Sequence, residues 1–213
     1  HKKVNLDISS STQFLSALLM TAPLCKEGIK IHITSLKKAG SYIKITMEMM
    51  DEFGINVGFD GNDYVVDKGA CYKTMDYQIE PDASAADYFY AMAALTGGST
   101  VVNNVHFSSV QGDIKFLYVL ENMGCQVTDS EQGIIVKGPK RGTLKGVDVD
   151  MNDFSDQTMT LAALAIFADS PTTIRNIGHI RLQESDRLSA IATELKRMGI
   201  QCQTGPGGCK RIR

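Results

Sequence analysis

The residues with chemical potential in this chain gather at the starts of its helices. In "IRLQESDRLSAIATELKRMGI" (180–200), Leu188, Ile191, Leu195 and Met198 recur at helical spacing and mark one apolar stripe. Ahead of it stand Arg181, Gln183, Glu184, Ser185, Asp186 and Arg187. Acids are favoured at a helix start by the helix dipole. Glu184 and Arg187, three residues apart, can also pair for about 0.2–0.5 kcal/mol. Neither reason covers Arg181 and Gln183, which extend the polar cluster beyond the helix.

Three further helix starts carry polar groups. They are Ser9-Ser10-Ser11-Thr12-Gln13, Asp82-Ala83-Ser84 and Asp153-Phe154-Ser155-Asp156-Gln157. Serine, threonine and aspartate are the preferred N-caps, so capping is one reading of each. The other is anion binding, because unpaired N–H groups and the dipole both favour negative charge at a helix N-terminus. Four successive hydroxyls before Gln13 exceed what a cap needs, which favours a phosphate held by Ser11 and Thr12. Asp156 divides evenly between a first-turn acid and a general base or a ligand for sugar-like hydroxyls.

The elements that must position these groups repeat three times. Phe53-Gly54, Met123-Gly124 and Met198-Gly199 each close a helical pattern and precede a short strand pattern, with the glycines 70 and 75 residues apart. Glycine just past a helix end is the expected left-handed cap. Upstream of each lie a strand ("VNLDIS", "YQIEPD", "VDVDMN"), a strongly apolar helix, a second strand and an amphipathic helix, and a hairpin closes the unit. The spacing predicts an α/β chain of three β-α-β-α-β-β units of about 70 residues. Helices apolar nearly all round are expected to be buried on every side.

Bulk properties exclude several classes. The net charge is −2 with acids and bases interspersed, so no basic stripe points to nucleic acid. No run of about 18 apolar residues predicts a membrane span. No secretory signal is legible, and His1 before Lys2-Lys3 reads as a tag remnant. Cys25, Cys71, Cys125, Cys202 and Cys209 are odd in number and lack a C-x-x-C pair. They are therefore expected to be free thiols in a reducing cytoplasm, without a disulfide framework or structural zinc.

The stretches "SSTQFLSALLMTAPL", "DASAADYFYAMAALTGG", "QGDIKFLYVLENMG", "DFSDQTMTLAALAIFA" and "TIRNIGHIRLQESDRLSAIATELKRMG" together resemble the 5-enolpyruvylshikimate-3-phosphate synthase family, in order and over essentially the whole chain. The E-[ST]-D-R helix start is the most specific of these motifs. The resemblance implies an inside-out α/β architecture of two lobes, each of three units, with the active site between them. Residues 1–74 are then one unit of the first lobe and 75–213 two units of the second, about half a family member. The implied reaction transfers the enolpyruvyl group of phosphoenolpyruvate to shikimate 3-phosphate and releases phosphate. The resemblance implies no metal or organic cofactor, no nucleic-acid or membrane partner, and a monomer when complete.

Carried over by position, Ser11, Thr12 and Gln13 match residues that bind shikimate 3-phosphate, and Gln13 also approaches phosphoenolpyruvate. Tyr42 matches a tyrosine beside that site. Asp156 matches the aspartate implicated in proton transfer from the attacking hydroxyl. Glu184 matches the acid implicated in protonating the methylene of phosphoenolpyruvate, and Arg187 an arginine that clamps that substrate. Three positions depart: Gln183 stands where the family has a substrate-binding lysine, His179 where it has asparagine, and Ala39 where it has a phosphate-contacting serine. The family's flanking basic segments have no counterpart here, so the chain alone is expected to be inactive. Two alternatives stay open: a non-catalytic anion-binding fragment of repeats, and a relative of UDP-N-acetylglucosamine enolpyruvyl transferase.

Overall fold

The computed structural model describes residues 1–36 and 40–212, and only the backbone of 210 and 211. Ala39 lies outside the described residues. Two compact units are present, His1–Ile79 and Glu80–Arg213.

In the first unit, β1 (Lys2–Leu6), α1 (Gln13–Thr21), β2 (Ile29–Ile33), α2 (Ser41–Glu52), β3 (Val57–Phe59) and β4 (Asp63–Val66) follow one another. Its sheet has the order β1-β2-β4-β3. β1 and β2 are parallel, as a strand–helix–strand crossover requires, and β3 and β4 form the antiparallel closing hairpin. Leu15 and Leu19 of α1 and Ile43 and Met50 of α2 pack with Ile29, Ile31, Tyr64 and Val66 of the sheet in one core.

The second unit holds α3 (Ala83–Thr96), β5 (Ser99–Asn103), α4 (Phe116–Asn122), β6 (Gln126–Ser130) and β7 (Gly133–Lys137). It continues with β8 (Asp148–Asp150), α5 (Thr158–Ala165), β9 (Thr172–Arg175), α6 (Arg187–Arg197), β10 (Gln203–Gly205) and β11 (Gly208–Ile212). The β10-β11-β9-β8 sheet repeats the order and strand senses of the first unit's sheet, so the first and third repeats share one topology. The turn glycines act as the sequence predicts: Gly54 and Gly199 sit at φ +84° and +77°, just past α2 and α6.

Three expectations are corrected. The strand expected in "YQIEPD" does not form, and the second repeat's sheet is the three-stranded β5-β7-β6. Pro81 lacks the N–H a ladder needs, and its carbonyl is taken by the Gln111 amide at 2.7 Å. The apolar helices are not buried all round: α1 exposes Phe14 and Met20, and α3 exposes Tyr88, Phe89 and Met92. Their apolar residues encircle the helix, and only those turned toward the sheet or a neighbouring helix find partners. Cys202 and Cys209 are paired as a disulfide where free thiols were expected, because the β10–β11 hairpin folds residues seven apart onto each other. Cys25, Cys71 and Cys125 are free.

Candidate functional site

In the first unit, β1 leads through a polar turn into α1. The Asp7 carboxylate accepts the Ser9 N–H at 2.7 Å and the Ser9 hydroxyl, and these bonds hold it below the usual carboxylate range. Ser11 Oγ accepts the Gln13 N–H at 3.1 Å. Thr12 is the N-cap by position, yet its side chain makes no capping bond; its carbonyl accepts the Leu15 and Ser16 N–H groups. Capping therefore uses Ser11 and leaves the Thr12 hydroxyl and the exposed Gln13 side chain outside the cap. Ser16 Oγ and Thr46 Oγ1 lie 2.9 Å apart and tie α1 to α2. One turn back from that bond, toward the N-terminus of each helix, are Thr12 and Tyr42.

In the second unit, one guanidinium organises the charges. Arg187, the first residue of α6, donates from Nη1 to Asp156 Oδ1 at 2.9 Å and from Nη2 to Glu184 Oε2 at 2.6 Å. Its side chain is 20% exposed, whereas that of Glu184 is 75% exposed. Asp156 lies in the tight turn Ser155–Gln157 before α5. The neighbouring Ser155 Oγ is 2.9 Å from Nε2 of His179, in the turn Gly178–Leu182. Asp156, His179, Glu184 and Arg187 are thus brought together. Gln183 is exposed between that turn and α6, and Glu184 precedes the helix that was expected to include it.

The start of α6 is shorter than expected because Asp186 caps it. Its carboxylate accepts the Ser189 N–H at 2.9 Å, the Ser189 hydroxyl at 2.7 Å and the Arg181 guanidinium at 2.9 Å. The Ser189 backbone bond is the largest cause holding Asp186 below the usual carboxylate range. Arg181, left unassigned by its position in sequence, therefore braces the turn that presents Glu184 and Arg187. Sequence reasoning also missed Ser155 and the Asp156–Arg187 pair. Partners 31 residues apart leave no local signal. At α3 the plain reading holds, since Asp82 accepts the Ala85 N–H and Gln111 Oε1 the Ala83 N–H.

Chemically, the second unit offers a carboxylate pair joined by a cation. That arrangement can move protons to and from a reacting group while the cation meets an anionic ligand. Among the described residues no three His, Cys, Asp or Glu side chains are placed to hold a metal ion. None of the described helices is long and apolar enough to cross a membrane.

The chain matches the family model of EPSP synthase (3-phosphoshikimate 1-carboxyvinyltransferase) over residues 1–213. It is 46% identical over 206 residues to the 3-phosphoshikimate 1-carboxyvinyltransferase of Nostoc punctiforme, covering 96% of this chain and 48% of that protein. It is 41% identical over 215 residues to the chloroplastic enzyme of that name from Petunia hybrida, covering 97% of this chain and 42% of the relative. An EPSP synthase structure from Acinetobacter baumannii superposes with a TM-score of 0.74 at 24% identity, over 99% of this chain and 48% of that one. The enolpyruvyl transferase NikO from Streptomyces tendae gives 0.64 at 15%, covering 99% and 51%; these two likenesses concern fold. The chain spans about half the length of the bacterial relatives it matches.

Proposed function

The chain belongs to the EPSP synthase family, and we propose that it contributes to transfer of the carboxyvinyl group from phosphoenolpyruvate to shikimate 3-phosphate, with release of phosphate. The observation that carries this reading is the Arg187 guanidinium held between Asp156 and Glu184. In the proposed reaction Glu184 protonates the methylene carbon of phosphoenolpyruvate and, as phosphate leaves, takes a proton back from the resulting methyl group to restore the vinyl; Arg187 faces the anionic group of that substrate. Asp156 accepts the proton of the attacking hydroxyl. Ser11, Thr12 and Gln13, with Tyr42, bind shikimate 3-phosphate in this reading, since hydroxyl donors and a helix start favour a phosphate. His179 and Gln183 are proposed as further contacts for shikimate 3-phosphate.

The repeats are proposed to divide as one unit of a first lobe, 1–74, and two of a second, 75–213. The cytoplasm is proposed as the compartment: Cys25, Cys71 and Cys125 are free thiols, as a reducing compartment keeps them, while the Cys202–Cys209 disulfide stands against that poise.

Turnover is tested in a protein that carries this chain together with the family's remaining segments. Glu184→Gln and Asp156→Asn are each expected to lower kcat by about 10²–10⁴-fold, the usual share of general acid–base catalysis, with circular dichroism unchanged. Rates within a few fold of the parent in both variants would contradict the assigned roles.

A further inference from the structure

Away from the Arg187 cluster, the second unit buries two carboxyl groups that the proposed reaction does not use. Asp87, on α3, is 1% exposed, and Asp113, in the turn Gly112–Lys115 before α4, is 5% exposed. Asp113 Oδ2 accepts the Ser84 hydroxyl and, at 3.4 Å, the Gln157 amide, so it joins the starts of α3 and α5. Its Oδ1, the Oδ2 of Asp87 and the Tyr90 hydroxyl are buried and have no hydrogen-bond partner among the described residues.

An ionised carboxylate in that setting needs a cation or several donors. The charges that act on these two groups are all negative: Asp113 and Asp82 on Asp87, and Asp156 and Asp82 on Asp113. Lys115, on the same turn as Asp113, instead pairs outward with Asp153 at 2.8 Å. Arg187 is engaged by Asp156 and Glu184, and Asp129, which acts on Tyr90, is engaged by His106.

We propose that Asp87 and Asp113 form a buried acid pair that folds with its proton bound, so that the stability of the second unit is set by protonation of this pair. The direction follows from linkage. Burial, the largest cause, pushes Asp87 up to about 9 from 3.8, and it raises Asp113 as well. Between those values the folded unit holds a proton that the unfolded chain releases. Its stabilising contribution is full below pH 3.8 and is lost as pH rises toward 9. Surface carboxylates with lowered values act in the opposite sense, so the pair has a separable signature.

Hydrogen exchange of the segment Ala83–Thr96, measured by mass spectrometry on the whole chain and corrected for intrinsic exchange, reads the opening of this unit. From pH 5 to 8 the opening constant is expected to rise by up to about tenfold per pH unit relative to Asp87→Asn, the slope for one proton. Asp87→Ser, smaller and equally neutral, is expected to flatten the profile in the same way. Equal slopes in the parent and in whichever of these variants folds would overturn the proposal. A parent slope abolished by millimolar magnesium or calcium would also overturn it, in favour of a bound cation.

Discussion

The starts of α1 and α6 hold their polar groups by opposite means. At α1 the chain presents neutral hydroxyls, Ser11 and Thr12, and Thr12 makes no capping bond. At α6 it presents full charges, and these are already satisfied: Arg187 by Asp156 and Glu184, Arg181 by Asp186. A neutral hydroxyl can wait in water at little cost. A guanidinium that is four-fifths buried needs its carboxylates in place. The first unit can therefore lose the Thr12 hydroxyl at little cost in stability, whereas in the second loss of Arg187 leaves Asp156 and Glu184 without the cation that joins them.

The sharpest way to break this contrast is at α1. Ser11→Ala/Thr12→Ala is expected to weaken shikimate 3-phosphate binding by roughly a hundredfold, since hydrogen bonds to a charged group are worth about 1.5–3 kcal/mol each. The urea midpoint of Thr12→Ala alone should stay within the parent's error, since Ser11 carries the capping bond, and a large shift in that midpoint would contradict the contrast. Next, Gln183→Lys supplies a charge beside Glu184 and is expected to tighten shikimate 3-phosphate binding by about tenfold. Unchanged titration curves would remove Gln183 from the site.

Arg187→Ala should combine both effects. It is expected to weaken binding and to cost about 1 kcal/mol in urea unfolding, mostly through the Asp156 arm, because Glu184 is largely exposed. A double-mutant cycle with Asp156→Asn checks that split. Asp186→Ala, which removes the α6 cap and the anchor of Arg181, is expected to lower Tm by about 2–4 °C. The Asp186 value is depressed below 3.8, so its contribution is present above that pH and lost as pH falls through the folded-state value. At pH 2 the parent and Asp186→Ala should therefore melt closer together than at pH 7.

Much of the architecture is legible in the sequence because it is periodic. Gly54 and Gly199 punctuate equivalent helices, and the strands and helices before them recur in order. What periodicity cannot carry is tertiary pairing. Ser155 meets His179, and Asp156 meets Arg187, across gaps of 24 and 31 residues. Asp87 reads like any polar residue on an apolar helix, and its burial depends on how α3 turns in the core. The missing strand at 77–82 was hidden for another reason: its alternating pattern suits a strand, but Gln111 takes both the Pro81 carbonyl and the Ala83 N–H.

The proposal to test first is that the hydroxyls at α1 and the charges at α6 each bind an anionic group. Calorimetric titration of this chain with shikimate 3-phosphate tests it most directly, with inorganic phosphate as the control. The account predicts saturable binding, stronger than that of phosphate and weakened both by Ser11→Ala/Thr12→Ala and by Arg187→Ala. No heat of binding from a chain whose circular dichroism shows it folded, or a curve that neither variant changes, would contradict it.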